Sequence, residues 1–146
     1  MAVVRTMGNQ FLEEEANGEH DLPSDSLIIV LMTAAFTFDP ETHSTYADIS
    51  ASEIAAGNGY LAKTKVLTTV AVTETATGCT VSCDSPTWTA TGGAIPTTGS
   101  ACVINDTHGN DTVICCIDYG EDYATAEDTL FQIDFSNGLF TKATSS

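Results

Sequence analysis

The stretch that most constrains the fold is Ser26–Thr33, the most apolar run in the chain. Its residues, Ser-Leu-Ile-Ile-Val-Leu-Met-Thr, are mostly aliphatic and β-branched and show no regular polar alternation. Such a run is typical of a strand that is buried on both faces of a sheet. We therefore predict that this segment is a central strand and that the other elements pack around it.

The rest of the chain has the pattern of an all-β protein. Short apolar segments alternate with turn residues at intervals of about ten residues, which predicts a β-sandwich or flattened barrel of about six to eight short strands. The predicted single β domain spans 26–141, after an N-terminal arm at 1–25 and before a flexible tail at 142–146. The further predicted strands are 65–75, 79–83, 86–90, 101–104, 112–119, 129–135 and 139–140, with a hairpin loop at 105–111.

Two short helical segments are expected outside the strands. Residues 10–16 predict a short helix within the arm, because Asn17-Gly18 has the composition of a helix C-cap. Ser50 followed three residues later by Glu53 fits a capping box, which predicts one helical turn near 51–56.

The long polar segment 39–58 is expected to be ordered. Segments of this length within a compact domain are usually packed or functional. We predict that Ile49, Ile54 and Tyr60 anchor the segment in the core.

The charge balance restricts the partners. The chain has 20 acidic residues against 4 basic ones, a formal net charge of −16. Such a surface repels phosphate, so we expect no nucleic acid and no anionic membrane as partner. The apolar run is also too short to span a bilayer. A basic protein surface or a divalent cation is the favoured partner class.

The five cysteines lack the spacing of a zinc site. Cys79, Cys83, Cys102, Cys115 and Cys116 form no CxxC pair, and the histidines lie far from them in sequence. We predict that they are small buried hydrophobic residues. The disulfide pattern stays open, and a bond such as Cys83–Cys102 is an alternative.

Three sets of polar residues have side chains of the kind that can coordinate a cation. They are Asp39, Glu41, His43 and Asp48; Asp106, His108, Asn110 and Asp111; and Asp118, Glu121, Asp122, Glu127 and Asp128. The alternatives are a turn stabilised by its own side chains for the first group and a solvated rim for the last. The second group lacks the glycine and closing glutamate of an EF-hand. We favour these alternatives and predict no metal and no cofactor.

Catalytic motifs are missing from the sequence. It contains no GxSxG elbow, P-loop, GxGxxG or HExxH pattern. We therefore predict that the protein is not an enzyme and has no catalytic residues. The first residues lack the apolar region of a signal peptide, so we expect synthesis in a cytoplasm.

Several segments together resemble a family of small virion structural proteins of tailed bacteriophages. The resemblance covers roughly 27–139 and is strongest over 31–60. It rests on Leu31-Met32-Thr33, on Phe-Asp-Pro-Glu-Thr-His at 38–43, on 46–54, on Gly57-Asn58-Gly59-Tyr60, on Thr87-Trp88-Thr89 and on Ile117-Asp118-Tyr119-Gly120.

The resemblance implies a virion component that is made in the host cytoplasm. We expect a capsid decoration (cement) protein, bound in many copies to the major capsid protein on the capsid exterior and contacting its own copies as a trimer. The alternatives are a tail or baseplate component and a carbohydrate-binding module, with Trp88, Tyr119 and Tyr123 lining a glycan platform. The predicted docking tether is the arm at 1–9, with the residues Val3, Val4, Arg5 and Met7.

Overall fold

The computed structural model describes residues 3–143, and it is mostly β, with 44% strand and 11% helix. The described residues form ten strands and two short helices, consistent with a β-sandwich that carries a short helical element. The predicted all-β fold is therefore confirmed. None of the described helices has the length and apolarity that crossing a membrane requires.

The elements follow one another along the chain in a fixed order. They are β1 Val4–Met7, α1 Asn9–Ala16, β2 Leu27–Thr33, α2 Tyr46–Ile49, β3 Lys65–Val66, β4 Ala71–Thr75, β5 Gly78–Ser82, β6 Thr87–Thr89, β7 Ile95–Asn105, β8 Val113–Thr125, β9 Leu130–Gln132 and β10 Phe140–Ala143. A 3₁₀ turn at Ser50–Ser52 follows α2.

The largest sheet has five antiparallel strands in the order β1-β8-β7-β2-β3. The β7–β8 hairpin dominates this sheet, and β7 holds the middle position. β2 pairs with β7 and has its first six residues buried, as its apolar sequence predicts. β2 lies between β7 and the two-residue strand β3, so it is an interior strand, whereas the predicted central position belongs to β7.

The apolar side chains of β2 alternate between two cores. Ile29 and Leu31 face the larger core, which α1 and the smaller sheets β10-β5-β4 and β6-β9 cover. Ile28 and Val30 face a smaller core, which Ile49 of α2 covers. Successive strand residues point to opposite faces, so burial of both faces requires an uninterrupted apolar run.

The N-terminal segment belongs to the same domain, which differs from the predicted arm. β1 pairs with β8 at the edge of the five-stranded sheet, with Val4 opposite Asp118. Phe11 of α1 is fully buried in the larger core. The short sequence of β1 does not predict this pairing, because its partner lies near the other end of the chain. Helix α1 ends at Asn17–Gly18 as predicted, with Gly18 at a φ of 75°.

The predicted C-terminal tail also begins inside the fold. Lys142 lies in β10 and pairs with Cys79 of β5. The predicted strands at 79–83, 86–90 and 101–104 are present with shifted ends. The stretches 96–99 and 120–125, predicted as loops, are strand. The remainder of the predicted tail, 144–146, and the first two residues of the predicted arm lie outside the described residues.

The segment 39–58 is anchored as predicted. Ile49, Ile54 and Tyr60 are 1%, 3% and 1% exposed. The backbone N–H of Leu31 in β2 donates to the Tyr60 hydroxyl at 2.9 Å, so the end of the segment is tied to the apolar strand. Gly59 has a φ of +99°, and a Cβ at this position would collide with the carbonyl oxygen of Thr89.

The predicted capping box at Ser50–Glu53 is wrong. The helix lies earlier, because Thr45 and Asp48 form the capping box of α2. The Glu53 carboxylate does not cap a helix, because it accepts hydrogen bonds from the Tyr46 and Tyr60 hydroxyls, both at 2.6 Å. Tertiary partners therefore outcompete the local cap.

Candidate functional site

The four predicted docking residues lie on or beside the edge strand β1. Val3 and Val4 are 49% and 54% exposed, and Arg5 is exposed as well. Met7 differs, because it is half-buried and packs against the larger core. The structure thus brings the four residues together, but on a paired strand and not on a free tether.

The hydrogen bonds of the ladder decide which backbone groups of β1 stay open. Gly8 donates its N–H to the carbonyl of Ile114 at 3.0 Å, and continuing the β1–β8 register places these two residues directly opposite each other. Hydrogen-bonded and non-hydrogen-bonded pairs alternate in an antiparallel ladder. Val4 and Thr6 therefore direct their N–H and C=O groups toward β8.

The intervening residues, Arg5 and Met7, direct their backbone groups outward. The next outward group, the N–H of Asn9, is covered by the carbonyl of Pro40 at 3.0 Å. Within residues 3–143, no backbone partner covers the outward groups of Arg5 and Met7. Open strand edges of this kind pair readily with an additional strand.

An apolar groove adjoins this edge. Its volume is about 360 Å³, and it lies between β1, β8, β9 and the residues that follow β9. Leu130 and Tyr123, on two of its walls, are 61% and 40% exposed. An exposed apolar patch on a protein surface indicates an interaction site. The lining residues are Val3, Arg5, Ile117, Tyr119, Tyr123, Leu130, Phe131, Gln132, Ile133 and Asp134.

The groove has an aromatic wall but no glycan platform of the predicted kind. Tyr119, Tyr123 and Phe131 contact one another with ring centroids 5.7 to 6.1 Å apart. Trp88 and Tyr119 are only 4% and 6% exposed, and Trp88 packs against Tyr60 and Phe131. Of the three predicted platform residues, only Tyr123 faces solvent.

Two charged residues line the groove. A hydrogen bond from the Ser136 N–H lowers the pKa of Asp134, and the positive charge of Arg5 lowers it further. Burial raises the pKa of Tyr119 well above its usual range, so this phenol stays neutral at physiological pH. The groove therefore offers apolar walls, one cation and one carboxylate.

The first predicted cation group forms a turn. The N–H of Asp39 donates to His43 Nδ1 at 2.9 Å, and Asp39 Oδ1 accepts from the Glu41 N–H at 2.9 Å. Asp48 accepts the N–H of Thr45 at 2.9 Å. These side chains satisfy local backbone groups, as the turn alternative predicts.

The second predicted cation group already binds a cation of the chain itself. Lys63 Nζ lies 3.2 Å from Asp106 Oδ1 and 2.8 Å from Asp111 Oδ2. The hydrogen bond to Asp111 raises the pKa of Lys63. The ammonium also lies 4.9 Å from the ring centroid of Tyr46. The lysine therefore offsets one of the two negative charges of this loop.

The third group forms an open acidic rim. Asp118, Glu121 and Asp122 line a wide depression near Phe36 and Thr37. Among the described residues, this group does not bring three ligand atoms within coordinating distance of one another. The other two members, Glu127 and Asp128, are exposed and do not line the depression. The arrangement fits the solvated rim of the alternative.

The five cysteines are free thiols. Cys102, Cys115 and Cys116 are buried, and Cys79 and Cys83 are half-buried. Burial raises the pKa of Cys83 to about 11, so this thiol stays protonated. The predicted role as small hydrophobic residues is confirmed for the three that the core encloses, and the alternative bond Cys83–Cys102 is not formed.

One polar cluster was not predicted from the sequence. Ligand atoms of Glu14, His20 and His108 lie within 4.8 Å of one another, in a set that metals commonly use. His20 Nε2 is 2.8 Å and His108 Nε2 is 3.7 Å from Glu14 Oε2. The three residues come from α1, the loop after it and the β7–β8 loop, so sequence spacing gives no signal for them.

The hydrogen bonds around this cluster place a proton on each Nε2. His20 Nδ1 faces the Asn105 Nδ2 at 2.8 Å, and Asn105 is held in this orientation because its Oδ1 accepts two backbone N–H groups. His108 Nδ1 accepts the Asn110 N–H at 3.2 Å. Both Nδ1 atoms are acceptors, so both neutral rings carry their proton on Nε2, the atom that a metal would need.

The Glu14 carboxylate has its hydrogen bonds satisfied within the chain. Glu14 accepts hydrogen bonds from Gln10 at 2.7 Å, from Thr112 at 2.7 Å and from His20 at 2.8 Å. Burial alone would raise the pKa of Glu14, but the hydrogen bonds from Gln10, Thr112 and His20 outweigh it and lower the pKa. The cluster clamps α1 to the β7–β8 loop.

Comparison with known proteins finds no matching family model, no matching curated protein and no matching solved structure.

Proposed function

We propose that the chain is a bacteriophage virion structural protein, and specifically a capsid decoration (cement) protein that binds the major capsid protein in many copies. The observation that carries the proposal is the open edge of β1 beside an exposed apolar groove. The sequence resemblance over 31–60 supports the virion assignment.

The charge of the chain defines the surface that it binds. With a net charge of −16, the protein is repelled by acidic surfaces and is steered toward basic or mixed ones. The groove holds Arg5, one of only four basic residues, among apolar side chains. An apolar groove on a chain of strongly negative net charge suits docking to a basic or mixed shell surface.

A structural and not a catalytic role is supported by the polar clusters of the described residues. The Glu14–His20–His108 cluster has its hydrogen bonds satisfied internally, and the His20 side chain is 0% exposed. The carboxylates of Asp106 and Asp111 are both paired with Lys63. Neither cluster presents an open nucleophile or base to a substrate.

The placement on the particle is tested by labelling. Antibodies against the protein, applied to intact particles of the phage that encodes it, are expected to label the capsid exterior in many copies. Labelling confined to the tail would overturn the decoration proposal in favour of a tail or baseplate component.

The docking face is tested by a matched pair of surface substitutions. Leu130→Asp places a charge in the groove, whereas Leu61→Asp does so at a position that does not line it; the two leucines are 61% and 63% exposed. Because both are exposed, both variants are expected to fold. Leu130→Asp is expected to abolish binding to decoration-free capsids in a co-sedimentation assay, and Leu61→Asp to retain it. Equal binding of both variants would exclude the groove.

A deletion of residues 1–9 does not provide a clean test. The deletion removes β1 and uncovers the edge of β8, so loss of binding and loss of stability would occur together. Point substitutions in β1 and the groove separate the two effects.

A further inference from the structure

We infer that this protein docks by β-strand addition, with an extended segment of the major capsid protein pairing along the outer edge of β1. The inference rests on the proposed function and specifies how the contact is made. It follows from which backbone groups of β1 point away from β8, from the surfaces on the two faces of β1 and from the charge of the chain.

The backbone of β1 offers the hydrogen bonds that an added strand needs. Arg5 and Met7 present two N–H and two C=O groups outward, and they are separated by one residue. This is the spacing at which an antiparallel partner forms successive hydrogen-bonded pairs. The coverage of the Asn9 N–H by Pro40 ends the open edge at Met7.

The two faces of β1 differ, so they select different side chains on the added strand. On one face, Val3 and Arg5 border the apolar groove. On the other face, Val4 and Thr6 border a smaller depression of about 90 Å³ that contains Asp118. Alternate residues of an added strand would meet one surface and then the other.

The smaller depression has a mixed lining, in which Phe36 and Phe38 lie beside polar groups. Ser100 is one of its lining residues, and the Ser100 hydroxyl is buried without a hydrogen-bond partner among the described residues. The exposed carboxylate of Asp118 lies at the same site. A hydroxyl or a basic side chain therefore fits this face, while an aliphatic or aromatic side chain fits the groove.

Charge decides between a capsid segment and a second copy of the chain. Pairing β1 with β1 of another copy would bring together two chains that each carry −16, with an Arg5 on both strands. A segment with alternating apolar and basic residues has the complementary charge. The occupant that the site fits is thus a basic, alternating segment of the shell protein.

The test separates the backbone of Arg5 from its side chain. Arg5→Pro removes an outward N–H and leaves the Val4 and Thr6 bonds to β8 in place, a position at which an edge strand tolerates proline. Arg5→Ala removes the guanidinium and keeps the N–H. Affinity for decoration-free capsids is expected to fall at least about tenfold in Arg5→Pro relative to Arg5→Ala, the cost of one hydrogen bond at the interface.

A residue-level readout covers the case in which Arg5→Pro alters folding. NMR is used to measure amide exchange in the wild-type protein, first alone and then bound to a capsid-protein peptide. The peptide is selected by screening an array of peptides that covers the capsid protein sequence. In the free protein, the amides of Val4 and Thr6 are expected to be protected and those of Arg5 and Met7 to exchange quickly. Binding is expected to protect Arg5 and Met7.

The outcomes distinguish the two proposals. Wild-type protein that fails to bind capsids contradicts the decoration role. Capsid binding with equal affinities for Arg5→Pro and Arg5→Ala, or with unchanged exchange at Arg5 and Met7, overturns strand addition alone. A dimer in solution whose Arg5 and Met7 amides are already protected would assign the edge to a second copy and also overturn it.

Discussion

Two segments outside the strands pack against the five-stranded sheet, and in each of them one glutamate accepts several hydrogen bonds. We call these two hydrogen-bonded groups the Glu14 clamp and the Glu53 clamp. Helix α1 and the loop after it pack against the β7–β8 hairpin, where Glu14 accepts hydrogen bonds from Gln10, His20 and Thr112. The segment 39–60 runs along β2, where Glu53 accepts from the Tyr46 and Tyr60 hydroxyls and from the N–H of Lys63 at 3.0 Å.

The difference between the two clamps lies in their donors. The Glu53 clamp uses phenols, and burial, together with the hydrogen bond to Glu53, raises the pKa of Tyr46 to about 12. Burial raises the pKa of Tyr60 further above its usual range. The Glu14 clamp uses the Gln10 amide, the Thr112 hydroxyl and the His20 imidazole, and its carboxylate has a lowered pKa. The phenols of Tyr46 and Tyr60 keep their protons at physiological pH.

The largest effect is expected from removing the apolar anchor of the first segment. Phe11→Ala should lower the free energy of unfolding by about 3–5 kcal/mol, because the ring is fully buried in the larger core. Urea denaturation measures the change. The control is Leu12→Ala, since Leu12 is 40% exposed. A small loss, or a separate early transition, would mean that α1 folds apart from the domain.

Removal of the Glu14 carboxylate is expected to cost about 2–3 kcal/mol, because it leaves buried donors of His20 and Thr112 without an acceptor. Glu14→Ala is compared with Glu13→Ala, whose side chain is exposed. Thermal and urea unfolding provide the measurement. Equal stability of the two variants would show that the clamp contributes nothing.

A smaller loss is expected at the second clamp. Tyr60→Phe removes the hydroxyl that binds both Glu53 and the Leu31 N–H, and should cost about 1–2 kcal/mol. Tyr123→Phe is the control, because Tyr123 is 40% exposed. A loss as large as that of Glu14→Ala would remove the distinction between the clamps.

The contribution of the Glu14 carboxylate to stability depends on pH. The folded pKa of Glu14 lies below its ordinary value of 4.5, so its contribution is complete above that value and is lost as the pH falls through the folded pKa. Glu14→Gln should therefore flatten the loss of stability of the wild type below about pH 4.5. An unchanged pH profile in denaturant titrations would contradict this prediction.

No shift is expected from zinc. Because both histidines of the cluster carry protons on Nε2, an excess of zinc ions should leave the thermal midpoint of the wild type unchanged. A rise in the midpoint that disappears in His20→Ala would show that the cluster rearranges to bind metal.

Features that depend on residues close in sequence were mostly predicted correctly, whereas features that depend on residues far apart in sequence were not. The buried strand β2, the C-cap at Gly18 and the anchors Ile49 and Tyr60 were predicted, because apolar patterning and cap chemistry are encoded by neighbouring residues. The capping box at Ser50 failed, since Glu53 has stronger partners elsewhere in the fold.

At the candidate site, the sequence determined which residues around Val3–Arg5 are apolar, and it determined the charge that any partner must complement. The tertiary structure decided that these residues form an edge strand, which of their backbone groups point outward and which groove adjoins them. It alone brought Glu14, His20 and His108 together. The physical reason is that strand pairing and polar clusters depend on contacts between distant parts of the chain, whereas burial and local caps depend on the composition of each segment.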